Sequence, residues 1–155
     1  MPADQQSLSA SLEDYIEVIF HLIRDNDAAR SKDIAARLDV SRASVTEALR
    51  ALSRRGLVNY APYERVTLTG PGERAAEDVI RRHEALKTFF IDVLRLPSDL
   101  SEEGACRIEH AAPPEIIHRL TQLVRFLEED PGSKGLAASF AAFCDREQGG
   151  EDPAG

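Results

Sequence analysis

Apolar residues recur along most of the chain at the spacing of amphipathic helices. Between residues 8 and 24 they lie three and four positions apart, as they do on one face of a helix. This stripe consists of Leu12, Tyr15, Ile16, Ile19, Phe20 and Ile23. We expect Ser9 or Ser11 to cap this first helix, and Ser31 to cap a second, short helix over residues 31–39.

The following segment predicts a third helix and then a β-hairpin. Ser41 is a typical N-cap residue and Gly56 a typical helix terminator. The apolar stripe between them consists of Val45, Leu49 and Leu52. Residues 57–70, "LVNYAPYERVTLTG", then change to β-type side chains with a turn near Pro62–Glu64, which favours a hairpin.

The second half of the chain again has the pattern of helices. One long helix is predicted from Pro71 to about Leu96. Two more helices follow, separated by prolines, and the second of them is expected to open at Pro114 or Glu115. Residues 135–148, "GLAASFAAFCDREQ", predict a final helix.

These elements predict a mostly α fold with two domains. Residues 1–70 have the element order of a winged helix-turn-helix domain, three helices plus a β-hairpin. Residues 71–145 predict an all-helical domain, and residues 146–155 predict a disordered tail. The all-helical domain has more apolar surface than a small domain can hide, so we expect a homodimer. The stripe concerned consists of Leu120, Leu123, Val124 and Leu127, and the alternative is that it packs only within the subunit.

Composition places the chain among ordinary globular proteins. Of its 155 residues, 43% are hydrophobic and 30% are charged. No apolar run is long enough to cross a bilayer, the polar and acidic start is unlike a secretory signal, and two cysteines make no disulfide framework. We therefore expect a cytoplasmic protein with no membrane partner.

The net charge of −8 is unevenly distributed. The segment from Arg30 to Arg82 holds eleven Lys/Arg and seven Asp/Glu, a balance of +4. The remainder holds eight basic and twenty acidic residues, a balance of −12. A basic segment within an acidic chain is typical of a protein in which one part contacts phosphate groups.

The third helix is the candidate for reading DNA. Ala35 is small where the second and third helices must approach, and Val40 and Val45 are expected to fill their junction. The N-terminal residues of the third helix would then enter the major groove. Candidate contacts to bases and phosphates are Ser41, Arg42, Ala43, Ser44, Thr46, Glu47 and Arg50, and candidate backbone or minor-groove contacts are Arg54, Arg55 and Arg65. The alternative is a winged helix that binds protein and carries arginines on its outer face.

The stretch "ACRIEH", residues 105–110, carries a thiol, a carboxylate and an imidazole. In a helix, Cys106, Glu109 and His110 would share one face, and all three can bind a divalent metal. The competing interpretation is a small buried thiol beside two solvated side chains. Asp14 and Glu17, three apart on the first helix, and His83 on the fourth offer further metal ligands.

Four segments in this order resemble the metal-dependent repressors of the diphtheria-toxin-repressor and manganese-transport-regulator family (DtxR/MntR). They are "LEDYIEVIFHLI", the winged helix, "RRHEALKTFF" and "ACRIEH", and the resemblance covers roughly residues 8–130. It implies a homodimeric repressor that binds operator DNA and controls manganese or iron uptake genes. It also implies a helical domain that binds metal and dimerises. An enzyme or a small organic ligand is not implied.

The resemblance also implies a set of metal ligands. The manganese branch of the family has an aspartate and a glutamate on the first helix, a histidine on the fourth and Glu-x-x-Glu-His on the fifth. The iron branch has a methionine in place of the aspartate, a Cys-x-x-Glu-His sequence and usually an SH3-like domain, for which this chain is too short. The matching residues here are Asp14, Glu17, His83, Cys106, Glu109 and His110.

The set is a hybrid, because its first helix is manganese-like and Cys106 is iron-like. Carboxylates favour Mn²⁺, whereas a thiolate shifts preference toward Fe²⁺, or toward Zn²⁺ and Co²⁺ in vitro. We expect Mn²⁺, with Fe²⁺ as the alternative and with two ions per subunit if Glu109 bridges them. A metal-independent winged-helix regulator remains an alternative. A small metal-dependent hydrolase is another, although the sequence has no nucleophile motif or phosphate-binding glycine loop.

Overall fold

The computed structural model describes residues 7–149, which form seven α-helices and one β-hairpin. The chain divides after Arg81 into two compact units. The helices are α1 (Ala10–Asn26), α2 (Ser31–Leu38), α3 (Arg42–Arg54), α4 (Gly70–Thr88), α5 (Ser98–Ile108), α6 (Pro114–Glu129) and α7 (Leu136–Gly149). The strands are β1 (Val58–Asn59) and β2 (Thr67–Leu68). This order confirms the mostly α fold with an N-terminal winged helix.

The first unit is built around one apolar core. Side chains from α1, α2, α3, the hairpin and the start of α4 pack together there. Those with almost no exposed surface include Ile16, Ile19, Ile34, Val45, Leu49, Leu52, Val66 and Val79. Full burial of such a side chain stabilises a fold by about 1.5–3 kcal/mol. The apolar stripes predicted for the first and third helices therefore form this core.

Serine caps fix the starts of α1 and α3. The Ser9 hydroxyl accepts a hydrogen bond from the backbone N–H of Leu12 at 3.3 Å, and Ser41 accepts one from Ser44 at 3.1 Å. The predicted cap at Ser31 is wrong, because Arg30 is the N-cap and has extended backbone. The reason is the preceding residue, Ala29, which forms an antiparallel bridge with the hairpin and keeps the chain extended up to the helix.

The hairpin, or wing, follows α3 as predicted. Gly56 ends the helix with a φ of +70°, the left-handed conformation that glycine adopts without strain. The two strands are antiparallel, and Val58 lies opposite Leu68. At the base of the wing, the Thr69 hydroxyl donates to the Gly56 carbonyl at 2.6 Å and accepts from the Gly72 N–H at 3.1 Å. The wing is thereby joined to the first turn of α4.

The junction between α2 and α3 departs from expectation at one residue. Val45 is fully buried, as predicted, whereas Val40 is 37% exposed. Val40 directly follows the left-handed residue Asp39, and its N–H closes α2 by donating to the Ala35 carbonyl at 3.1 Å. The prediction that Val40 fills the junction is therefore wrong, because the turn uses its backbone and leaves its side chain partly in water.

The second unit has a smaller apolar core, formed by Leu86, Ala105 and Ile117 with neighbouring partly buried residues. The long helix ends at Thr88, earlier than predicted, and continues as a π-helical turn over Phe89–Val93. The π-helical turn is capped by Leu94, whose N–H donates to the Phe89 carbonyl at 3.1 Å, and Arg95 then takes a left-handed conformation with a φ of +57°. The helix α6 begins at Pro114, which confirms the predicted start.

Several large apolar side chains of the second unit remain exposed on α6 and α7. Val124 is buried, but Leu123 from the same predicted stripe is 41% exposed. The others on these two helices are Ile116, Phe126, Leu136, Phe140 and Phe143.

The last helix continues to Gly149, and residues 150–155 of the predicted tail lie outside the described part of the chain. Among residues 7–149, no helix combines the length and hydropathy needed to cross a membrane.

Gly72 provides a test of the packing between α4 and the segment that joins α3 to β1. A Cβ at Gly72 would lie 1.8 Å from the Leu57 carbonyl oxygen, whereas one at Gly70 would meet only the Arg74 side chain at 3.6 Å. We expect Gly72→Ala to lower the free energy of unfolding by about 1–3 kcal/mol or more, because backbone must shift. Gly70→Ala is the matched control and should not destabilise the protein. Urea unfolding followed by circular dichroism measures both, and equal midpoints would contradict the packing described.

Candidate metal centre and DNA-binding surface

Four of the six predicted metal ligands lie together in the second unit. His83 comes from α4, Cys106 from the last turn of α5, and Glu109 and His110 directly follow α5. Glu109 retains helical backbone angles, and its N–H donates to the Ala105 carbonyl at 2.9 Å. The helical spacing inferred from the sequence therefore extends through Glu109, although the helix itself ends at Ile108.

The Glu109 carboxylate lies between two imidazoles. It is 1% exposed. Its Oε2 is 2.6 Å from His83 Nδ1, and its Oε1 is 3.3 Å from His110 Nε2. A carboxylate without water needs charged or hydrogen-bonding partners, and the two histidines supply them.

Arg82 fixes the backbone of the same residue. Its Nη1 donates to the Glu109 backbone carbonyl at 2.9 Å, which joins α4 to the end of α5. The last carbonyls of a helix have no partner within the helix and carry partial negative charge. This end of α5 therefore favours a cation, and Arg82 satisfies one of its carbonyls.

Cys106 lies at the edge of this cluster. Its Sγ is 3.8 Å from His83 Nδ1, and the residue is exposed. The competing interpretation of "ACRIEH" expected a buried thiol beside two solvated side chains. The observed burial is the reverse, since Glu109 is buried and Cys106 is accessible.

Glu102 joins the cluster although it is not among the ligands predicted from the sequence. Its Oε1 is 2.9 Å from His83 Nε2, and its Oε2 is 2.8 Å from Lys87 Nζ. The hydrogen bond from Lys87 lowers the pKa of the Glu102 carboxyl, and the same bond raises the pKa of Lys87. Helical spacing could have revealed both residues, because Glu102 precedes Cys106 by four positions and Lys87 follows His83 by four.

The donor atoms of this cluster suit a divalent transition-metal ion. One donor atom from each of His83, Glu102 and Cys106 lies within 4.8 Å of the others. Imidazole, carboxylate and thiolate together suit Mn²⁺, Fe²⁺, Co²⁺ or Zn²⁺. The second unit therefore offers imidazole, carboxylate and thiolate donors within reach of one another.

The remaining two predicted ligands, Asp14 and Glu17, belong to the first unit. They lie three residues apart on α1, at neighbouring positions of one helix face. Glu17 Oε1 lies 3.6 Å from His21 Nε2, one turn further along the same helix. This contact adds no metal ligand to the predicted set.

The predicted DNA contacts lie on the outer face of α3 and on the wing. All of them except Thr46 are exposed, whereas the opposite face of α3 is buried in the core. The Thr46 hydroxyl donates to the Arg42 carbonyl at 3.0 Å, and the hydroxyls of Ser41 and Ser44 are 2.9 Å apart. The exposed set is Ser41, Arg42, Ala43, Ser44, Glu47, Arg50, Arg54, Arg55 and Arg65.

The start of α3 is suited to negatively charged partners. Its first turn has no acidic residue, and Arg42 is its first residue. The partial positive charge of a helix N-terminus attracts phosphate, and exposed arginines add to this attraction. The surface therefore has the charge and the accessibility that contact with a duplex requires.

The sequence matches two family models. One is described as iron dependent repressor, N-terminal DNA binding domain, and covers residues 7–66. The other is described as iron dependent repressor, metal binding and dimerisation domain, and covers residues 69–135. Together they account for most of the chain.

Named relatives agree with these models. The HTH-type transcriptional regulator MntR of Lysinibacillus sphaericus is 38% identical over 125 residues, which are 78% of this chain and 86% of that protein. The transcriptional regulator MntR of Escherichia coli is 35% identical over 106 residues, 68% of each chain. An uncharacterized HTH-type regulator of Methanocaldococcus jannaschii is 36% identical over 114 residues, covering 73% of this chain and 91% of that protein.

Solved structures show the same fold. A manganese-dependent transcriptional repressor in complex with manganese has a TM-score of 0.68 and 33% identity, and the match covers 77% of this chain and 55% of that one. IdeR of T. acidophilum has a TM-score of 0.65 and 27% identity, with 76% and 55% covered. The chain thus spans about half the length of these solved proteins.

Because the members of the matched family are transcriptional regulators, the hydrolase alternative has no support. The chain belongs to the iron-dependent repressor, or DtxR/MntR, family of metal-dependent transcriptional regulators.

Proposed function

We propose that this protein is a repressor that binds operator DNA as a homodimer when loaded with Mn²⁺, and that it controls genes for metal-ion uptake. The observation that carries the proposal is the buried Glu109 carboxylate between His83 and His110, in a chain that also has an exposed basic α3. Such a regulator acts in the cytoplasm, where its DNA lies. Fe²⁺ is the alternative activating ion.

The proposed ligands are Asp14, Glu17, His83, Cys106, Glu109 and His110. Manganese is favoured because three of the six ligands are carboxylates and only one is a soft thiolate, and because two of the relatives are named MntR. Cys106 is the residue that favours softer ions. Glu109 has two oxygens directed at different histidines, which suits a carboxylate shared by two ions, so we propose up to two ions per subunit.

The proposed mechanism is linkage between metal and DNA. Asp14 and Glu17 belong to the first unit, and the other four ligands belong to the second. Ion binding to both sets neutralises acidic groups and restricts the motion of the DNA-binding unit, so metal and operator favour the same state. A coupling of about 1–3 kcal/mol corresponds to a change of roughly 5–150-fold in operator affinity.

Dimerisation completes the proposal. A helix-turn-helix dimer presents two recognition helices to half-sites about one DNA turn apart. The exposed apolar residues of α6 and α7, such as Leu123, Phe126 and Phe140, offer surface for a second subunit. One of the matched family models describes a metal binding and dimerisation domain over residues 69–135, which include α6.

The central test is DNA binding titrated with metal. Duplexes selected from a random pool by Mn²⁺-loaded protein serve as the operator probe, and fluorescence anisotropy at fixed salt gives the affinity. We expect Mn²⁺ to tighten binding by about 5–150-fold over chelator-treated protein, in line with the linkage described. Fe²⁺ under anaerobic conditions, Zn²⁺ and Co²⁺ are titrated in parallel. Equal affinity with and without every metal would favour a metal-independent regulator instead.

A further prediction concerns the DNA-binding surface. We expect Arg42→Ala and Arg50→Ala to weaken DNA binding while metal affinity stays unchanged, since both side chains are exposed on α3. Loss of a phosphate contact lowers affinity for all sequences and reduces the salt dependence, whereas loss of a base contact relaxes specificity at one position. Arg146→Ala removes an equal charge from α7 and is the control. If all three variants bind alike, α3 does not contact the DNA.

Another prediction concerns the thiol of Cys106. If Cys106 is a ligand, the Co²⁺-loaded protein has a sulfur-to-cobalt charge-transfer band in the near ultraviolet. We expect Cys106→Ser to abolish this band and Cys144→Ser, which alters the only other cysteine, to retain it. Cys106→Glu should keep Mn²⁺ binding and weaken binding of Co²⁺ and Zn²⁺, because a carboxylate is harder than a thiolate. A fully loaded wild type without the band would show that Cys106 does not bind the ion.

A further inference from the structure

We propose that Glu102 is a positioning residue of the metal centre, which determines the ring nitrogen through which His83 binds the ion, and that Lys87 holds Glu102 in place. This inference rests on the proposed metal binding. Neither Glu102 nor Lys87 belongs to the ligand set proposed above. Both act through His83.

The two nitrogens of the His83 ring face different partners. Nδ1 lies 2.6 Å from Glu109 and 3.8 Å from the Cys106 sulfur, and both of these residues are proposed ligands. Nε2 lies 2.9 Å from Glu102. A neutral imidazole carries its proton on one nitrogen and binds metal with the other. With the ion on the side of Glu109 and Cys106, Nδ1 is the ligand atom and Nε2–H donates to Glu102.

A carboxylate behind a metal-binding histidine has a defined effect. It fixes the tautomer and the orientation of the ring, and it makes the coordinating nitrogen more basic. His83 is buried, so few other acceptors can replace Glu102. The histidine and the carboxylate also lie on two regular helices, α4 and α5, which limits their freedom.

Lys87 explains why Glu102 takes this role and not that of a ligand. Both oxygens of Glu102 have partners, since Oε1 faces His83 and Oε2 lies 2.8 Å from Lys87 Nζ. The ammonium group also repels a second cation from the Nε2 side of His83. The competing role is direct ligation by Glu102 together with Cys106 and His83, whose donor atoms are close enough to share an ion.

Metal affinity of matched variants tests the proposal. Glu102→Ala should weaken Mn²⁺ binding by about 10–100-fold without changing the number of ions bound at saturation, as measured by calorimetry. Glu102→Gln should recover much of the affinity, because its amide oxygen accepts the same hydrogen bond. Glu103→Ala is the control on the neighbouring residue, which is exposed and pairs with Arg107 at 2.8 Å. Circular dichroism verifies that each variant is folded.

A second measurement identifies the coordinating nitrogen. In protein labelled with ¹⁵N-histidine and loaded with ¹¹³Cd²⁺, coupling to cadmium is expected at Nδ1 of His83, and the proton is expected on Nε2. In Glu102→Ala, this proton should exchange with water faster. The chain has four histidines. The variants His21→Gln and His118→Gln identify the signals of two of them, and His110→Gln then distinguishes the signals of His83 from those of His110.

The outcomes separate this proposal from the proposed function. Coupling at Nε2, or one fewer ion in Glu102→Ala, would make Glu102 a ligand and overturn the positioning role. Equal affinities of Glu102→Ala and Glu103→Ala would overturn it as well, while leaving metal binding intact. A wild type that binds no Mn²⁺ or Cd²⁺ would reject the proposed function and this inference together. One more ion per subunit in Lys87→Gln, with Lys134→Gln unchanged, is the result expected if the Lys87 ammonium group keeps a cation away from the Nε2 side of His83. A wild-type number of ions bound with wild-type affinity in Lys87→Gln would overturn the role given to Lys87.

Discussion

The buried carboxylate of Glu109 is the constraint on which the metal centre depends. An ionised carboxylate removed from water destabilises a fold unless cations or hydrogen-bond donors surround it. Here His83 and His110 meet its two oxygens, and Arg82 holds the carbonyl of the same residue. Since Arg82 and His83 are consecutive on α4, these contacts fix one end of α5 against α4. The ligands are thus arranged by the same interactions that hold this part of the second unit together.

The two units differ in how much apolar surface they bury. The first has an extensive apolar core, on which α3 and the wing are presented as a stable surface. The second buries few apolar side chains, and polar groups occupy the buried region around His83 and Glu109. Ligands that bind only the folded state add to stability, as do partner subunits. The second unit has a small core, exposed apolar residues and a cluster of metal donors. It is therefore well suited to be stabilised by a bound metal ion and by a second subunit.

Local patterns predicted the elements well and their ends less well. The stripe through Ile16 and Ile19 and the cap at Ser41 depend on residues close in sequence, so they were visible without tertiary structure. Ser31 and Val40 were misjudged because a bridge from Ala29 to the wing and the turn after α2 determine their surroundings. The bridge joins positions that are distant in the sequence, and the turn depends on backbone angles. Hydrophobic periodicity describes neither long-range contacts nor backbone angles.

The sequence by itself determined the order of the elements, the basic segment and the types of donor atom available for metal, because these follow from residue identity and helical spacing. It placed Cys106, Glu109 and His110 on one helical face. Only the tertiary structure decided that Glu109 is buried, that Nδ1 and Nε2 of His83 face different carboxylates, and that Glu102 and Lys87 pair. The physical reason is that burial and ring orientation arise where α4 packs against α5, and one helix alone cannot specify them.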